Sequence, residues 1–251
     1  MKPSFDSNLY TQIGLDSGSL TMLGSIVHTL GEPGDYRVAV HHGESVVAVC
    51  VVTADKGSPV AQETVNLASL AGTADGTEGS VAATSDVEDC GCASGKGGSG
   101  GRHFTVNPRG YVLFNVSGGS GGYYVHVRRI DADAKERGYD SRMLIDGDLF
   151  SAIVLRPGTY SVSNTLTHAS GQIVVSYPKI GDKAYVPPPP VRVVCGPKSL
   201  EPANIEVQPG QGILFEVKAA TRIAIELQKA DDGPHGAGKR GRAGWTAAPR
   251  Q

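Results

Sequence analysis

Three short patterns occur twice in this chain, in the same order. Gly14-Leu15-Asp16-Ser17 returns as Gly138-Tyr139-Asp140-Ser141. Pro33-Gly34-Asp35-Tyr36-Arg37-Val38 returns as Pro157-Gly158-Thr159-Tyr160-Ser161-Val162. Val106-Asn107-Pro108, followed by Val112-Leu113-Phe114-Asn115-Val116, returns as Val207-Gln208-Pro209, followed by Ile213-Leu214-Phe215-Glu216-Val217. An ordered triple echo constrains the fold strongly: whatever the first half builds, the second half builds something similar.

The spacing of the echoes locates what is not shared. The first two pairs are offset by 124 residues and the third by 101, so the first half carries 23 extra residues between its Pro-Gly-x-Tyr and Leu-Phe segments. They fall in residues 71–102, a stretch of mostly Gly, Ser, Ala, Thr and Asp. Such a composition has too little apolar side chain to offset the entropy of ordering it, and a long surface insert costs a fold little.

The 251 residues suffice for two domains of ordinary size. Gly (34) and Pro (15) together make up about a fifth of the chain, which leaves little room for helices. Alternating apolar positions are frequent instead: Tyr36, Val38 and Val40; Val112, Phe114 and Val116; Ile213, Phe215 and Val217; Ile223, Ile225 and Leu227. A period of two between Gly, Pro, Asn and Asp turns marks half-buried strands. The expected class is all-β: two tandem, internally duplicated antiparallel β-sandwich, or small barrel, domains. Residues 1–20 are expected to form an N-terminal arm, 21–130 the first β domain with its insert at 71–102, and 131–138 a charged linker. Residues 139–231 are the second β domain and 232–251 a flexible basic tail.

Composition removes several functions. Lys plus Arg (23) nearly balances Asp plus Glu (25), a net charge of −2, which does not supply the clustered positive face that nucleic acid requires. Runs such as residues 46–52 are too short to cross a bilayer. The first ten residues, MKPSFDSNLY, hold no apolar core of a leader, so the expected compartment is the cytoplasm unless the protein is assembled into a particle. No G-x-S-x-G elbow is read, because Gly-Gly-Ser-Gly-Gly at 97–101 and 118–122 matches those letters only within glycine-rich runs, and no H-E-x-x-H or G-x-x-x-x-G-K-[ST] motif occurs, so an enzyme is not the expectation.

A few residues stand outside the scaffold pattern. Cys90-Gly91-Cys92 lies in the insert, behind Asp86, Glu88 and Asp89. Thiols one residue apart can share a soft metal ion or close a strained disulfide; His103 is the nearest further ligand. Cys50 lies in an apolar strand and reads as a small core residue, whereas Cys195, at the end of Val191–Cys195, is ambiguous. His41 and His42 sit at a hairpin end, where neighbouring side chains point to opposite faces and chelate poorly. Asp146 and Asp148 flank Gly147, the outline of a plain turn or of a calcium turn without enough ligands. Residues 118–122, Gly-Gly-Ser-Gly-Gly, are replaced in the second half by Lys218-Ala219-Ala220-Thr221, and residues 187–190 are four consecutive prolines. The basic tail carries Arg240, Arg242 and the only tryptophan, Trp245, a composition suited to anchoring on a partner.

The expected function is therefore a non-catalytic structural or interaction protein acting within a larger homo-oligomeric or particle assembly, a virion among the options. Its partners would be other proteins or copies of itself. The alternative is a metal- or thiol-binding module centred on Cys90, Cys92 and His103.

Overall fold

A computed structural model describes residues 13–72, 102–131, 138–178 and 185–231. Those residues are nearly all β, arranged in three mixed sheets. The first half supplies β1 (Gly14–Asp16), β2 (Gly24–His28), β3 (Gly34–His42), β4 (Ser45–Ala54), β5 (Gln62–Asn66), the short helix α1 (Leu67–Gly72), β6 (His103–Val106), β7 (Tyr111–Asn115) and β8 (Tyr123–Arg129). The second half supplies β9 (Tyr139–Asp140), β10 (Leu149–Ile153), β11 (Gly158–Asn164), β12 (Ser170–Val175), β13 (Val191–Cys195), β14 (Leu200–Glu201), β15 (Asn204–Val207), β16 (Gly212–Val217) and β17 (Ile223–Ala230).

Two sheets have five strands, in the orders β9-β8-β3-β4-β6 and β1-β17-β11-β12-β15. With the echoed residues as guide, the two orders match position for position, with one exchange. The entry strand of each half lies on the other half's sheet: β1 pairs with β17, and β9 pairs with β8. The third sheet has seven strands, β14-β13-β16-β10-β2-β7-β5, and contains strands from both halves. Its centre is the antiparallel β2–β10 pair, where Ile26 lies opposite Phe150. One apolar cluster draws on all three sheets, including Val38, Val52 and Val125, Ile26, Phe114, Phe150 and Phe215, and Val162, Ile173 and Ile225.

The sheets are mixed rather than wholly antiparallel, and the connections explain why. After β4 the chain crosses into the central sheet as β5, returns as β6, and crosses again as β7. Each return runs in the direction of the strand it rejoins, so β6 lies parallel to β4 and β7 parallel to β5. The second half does the same: β15 is parallel to β12 and β16 to β13. The residue 71–102 insert belongs to the β5–β6 crossing, and α1 is its first turn. The four prolines of residues 187–190 lead straight into β13, where Gln211 Nε2 donates to the Pro189 carbonyl at 2.7 Å.

The echoed motifs have the same physical job in both halves. In Gly-x-Asp-Ser the glycine allows close approach to the neighbouring strand. A Cβ on Gly14 would lie 2.8 Å from the Ile225 carbonyl, and one on Gly138 would lie 2.7 Å from that of Val127. The aspartate turns the chain: Asp16 Oδ1 accepts from Gly18 N at 2.8 Å, and Asp140 Oδ1 from Arg142 N at 2.9 Å. The serine ends the pairing. Ser17 N donates to the Ile223 carbonyl while Ser17 Oγ accepts from Ile223 N at 2.9 Å; Ser141 makes the same exchange with Val125. Both serines are fully buried, so these bonds replace solvation that they have lost. In Pro-Gly-x-Tyr, Gly34 and Gly158 have φ of 144° and 150°, a region that favours glycine. The buried tyrosines fold back on the preceding loop: Tyr36 Oη donates to the Glu32 carbonyl at 2.9 Å and Tyr160 Oη to that of Arg156 at 2.7 Å.

Candidate functional site

Because the two five-stranded sheets match strand for strand, their outer faces can be compared row by row. In the middle row of the first sheet, Arg128 faces Arg37, Arg37 faces Val51, and Val51 faces His103. The matching row of the second sheet reads Glu226, Ser161, Gln172 and Asn204. One row along, Asp140, His126, Ala39 and Val49 stand where the second sheet has Asp16, Ala224, Ser163 and Ser170. In the next row Tyr124 lies opposite His41, and His41 opposite Val46. One face is thus built from guanidinium, imidazole, phenol and valine. Its counterpart is built largely from hydroxyl, amide and carboxylate.

The polar groups of the first face are organised around Tyr124. His41 stacks on its ring with centroids 4.6 Å apart, and the Arg142 guanidinium lies over it at 4.4 Å. His126 leans on His41, centroids 4.5 Å apart, and its Nε2 is 3.1 Å from Asp140 Oδ2. Arg142 holds Asp140 through Nε at 3.1 Å and Nη2 at 2.8 Å. Burial alone would raise the Asp140 carboxyl; Arg142, with His126, outweighs it and holds the group below the usual carboxylate range.

The second sheet reaches a similar ion pair by a different route. There Arg222, beside β17, holds Asp16 through Nε at 3.0 Å and Nη2 at 2.7 Å. Its guanidinium fills the space above Gly18, where a Cβ would come within 2.6 Å. In the first sheet the corresponding positions are Tyr124 and Arg142. The glycine of the second sheet has become an arginine and its arginine a tyrosine, so among the described residues only there does an aromatic ring lie beneath the guanidinium.

His41 is the most perturbed imidazole of this face. Burial, the neighbouring His126 and the Arg142 charge all lower its pKa from 6.5. Its Nδ1 is buried and finds no hydrogen-bond partner among the described residues. The folded chain therefore binds this proton less readily than the unfolded one. The corresponding stability is fully present above the ordinary value of 6.5 and is lost as pH falls below it. An NMR titration of the His41 ring is expected to show a midpoint below 6.5, moving upward in His126→Gln. A midpoint at or above 6.5 in the wild type would contradict this geometry.

Two further features flank the face. On the other side of the β3–β4 hairpin, residues found only in the first half meet. Val47, Ala68, Ala71, Gly72, Gly118, Gly119 and Tyr123 line an open groove of about 540 Å³. His42, which points away from His41, packs against Tyr123 with the rings tilted 40° and centroids 4.9 Å apart, and its Nε2 lies 2.9 Å from the Gly121 carbonyl oxygen. In the interior, His28 and Asp148 approach to 2.7 Å, 7% and 1% exposed. Tyr139 stacks on His28 with centroids 3.7 Å apart. Burial first, then the Asp148 carboxylate, pushes its phenol well above the usual value, although the hydroxyl makes no well-formed hydrogen bond.

Of the residues singled out from sequence, Cys90, Cys92, Arg240, Arg242 and Trp245 lie outside the described residues. His103 opens β6 on the exposed face, with its Nε2 2.9 Å from Thr53 Oγ1. Among the described residues no group of three or more His, Cys, Asp and Glu is placed to hold a metal ion. Burial pushes the Cys50 and Cys195 thiols up to about 11 and about 12, as expected for inert core cysteines. Asp146 and Asp148 do not converge on an ion, since Asp148 turns inward to His28. No helix among the described residues is long and apolar enough to cross a membrane. Compared with known proteins, the chain matches no family model, no curated protein and no solved structure.

Proposed function

We propose that the chain is a non-catalytic structural or interaction protein, an internal duplication whose two halves have exchanged their entry strands, acting within a larger assembly formed with copies of itself or with other proteins. The observation that carries this is the contrast between the two matching outer faces. Equivalent scaffold positions differ sharply in chemistry, and the difference is concentrated on exposed residues, where the fold does not demand it. Val46 and Val49 stand 54% and 39% exposed beside Tyr124, Arg142 and the two imidazoles. Exposed valines beside imidazoles and rimmed by charge are a composition suited to a protein contact. The sandwich architecture belongs to the same proposal: strands with one buried and one wet face, sharing one apolar cluster, suit layered sheets.

Size-exclusion chromatography with light scattering on the full chain tests it, together with affinity capture under the same conditions. The expected result is a mass above that of one chain, or a stoichiometric protein partner. A strictly single-chain mass with no retained partner would overturn the proposal.

A further inference from the structure

Building on the proposed assembly function, we infer that the outer face of β9-β8-β3-β4-β6 docks on the outer face of β1-β17-β11-β12-β15 of a second copy, head to tail. The argument is charge complementarity between two surfaces of matching strand order. The first face carries Arg37, Arg128 and Arg142 against Asp35 and Asp140, with His41, His103 and His126 among them. The second carries Asp16, Glu206 and Glu226 against Arg222 and Lys229. The sign of the balance reverses from one face to the other, and it reverses most sharply in the middle row.

In that row Arg37 and Arg128 lie directly opposite each other on adjacent strands. Like charges so placed work against the sheet that holds them. Arg37 is exposed and makes no hydrogen bond or ion pair among the described residues. In the matching place on the other face stands Glu226, exposed, its carboxylate likewise uncommitted among the described residues. A second copy laid face to face brings a carboxylate over the arginine pair. Val46 and Val49 add apolar area at one end of the contact, and Ala224 and Val174 offer small or apolar partners opposite. The ion pairs Asp140–Arg142 and Asp16–Arg222 are already satisfied within each face and frame the contact without needing to break.

The two docking patches are different surfaces of one chain, so the contact is heterologous. Each copy uses one face on each neighbour, and the assembly either closes into a ring or continues. Charged contacts of this kind are screened by salt, with a reach of about 10 Å at 0.1 M.

Light scattering of the full chain from dilute to concentrated solution, at low and high salt, provides the test, with Arg37→Glu, Glu226→Arg and the double variant R37E/E226R. Both positions are exposed, and circular dichroism checks that each of the three variants folds. The wild type is expected to self-associate more strongly at low salt. Each single reversal is expected to weaken association by about tenfold or more. The double reversal, which restores opposite signs across the contact, is expected to recover most of it. Self-association indifferent to both reversals would overturn this docking while leaving the assembly function standing. So would a single-chain wild type that captures a different protein. A single-chain mass with no partner would remove both.

Discussion

Asp148→Ala is expected to lower the unfolding free energy by about 2–5 kcal/mol, because it leaves two buried donors without their acceptor, at about 1–3 kcal/mol each. Asp148 is 1% exposed and binds in two directions: Oδ1 lies 2.7 Å from His28 Nδ1, and Oδ2 accepts from Ile145 N at 2.9 Å. Alanine leaves the His28 ring buried without its carboxylate and strips Ile145 N of its acceptor. The β2–β10 register shows that an apolar solution exists for the same scaffold. At the other end of this strand pair, Gly24 lies opposite Ala152, and nothing polar is buried. The double variant H28A/D148A is therefore expected to lose at least about 1 kcal/mol less than the sum of the two single losses, because neither the ring nor the carboxylate is left buried without the other. Urea denaturation of the four chains measures the cycle. Additive losses, or an Asp148→Ala loss near zero, would show that the pair contributes nothing as a pair.

Phe150→Ala is expected to cost about 3–5 kcal/mol, and to cost it to the whole chain at once. Phe150 is fully buried at the centre of the seven-stranded sheet, opposite Ile26 and with its ring 5.9 Å from that of Phe215. Gly24 crowds it from the next pair, where a Cβ would lie 3.3 Å from the ring. The space left by alanine is thus walled by strands of both halves, neither of which can collapse without moving the other. Ile26→Val, across the same pair, removes one methyl group and is expected to cost only about 0.5–1.5 kcal/mol. Thermal unfolding of Phe150→Ala should remain one transition at a lower midpoint. Two separated transitions, or a loss below that of Ile26→Val, would contradict a shared central sheet.

The strands themselves were legible because their signal is local. Tyr36, Val38 and Val40 alternate inward as a period of two requires, and Cys50 is core for the same reason. The echoes also showed which positions would do the same thing twice, and the buried exchanges of Ser17 with Ile223 and of Ser141 with Val125 explain why those letters recur. Pairing between halves was not legible. Nothing near Gly14 says that its partner lies more than two hundred residues away on β17, since strand pairing leaves no mark on a single sequence. The His28–Asp148 contact was hidden for the same reason: 120 residues separate two side chains with no spacing rule to join them. Asp148 looked like a turn residue beside Gly147, and it is one, since its backbone N–H and its Oδ2 both close the turn on Ile145; what the sequence hid is that its Oδ1 turns inward to His28. The Tyr124 cluster could be sensed only as scattered histidines, because His41, His126 and Arg142 meet across three strands.

The exchange of β1 and β9 has a consequence for how the chain is made. Synthesis runs from the N-terminus, and β1 is the first of the described strands, yet among the described residues its sheet partner is β17, the last of them. Through the making of everything between them, β1 has no edge to join. The first half, meanwhile, lacks its fifth strand until β9 emerges from the second. Strands with such distant partners raise the mean sequence separation of contacts, which slows folding. The described ends finally meet where Leu227 N donates to the Ile13 carbonyl at 2.8 Å. That contact can form only once β17 has been made, so β1 stays unpaired until every other described strand exists, and the pairing of β1 with β17 closes the described fold last.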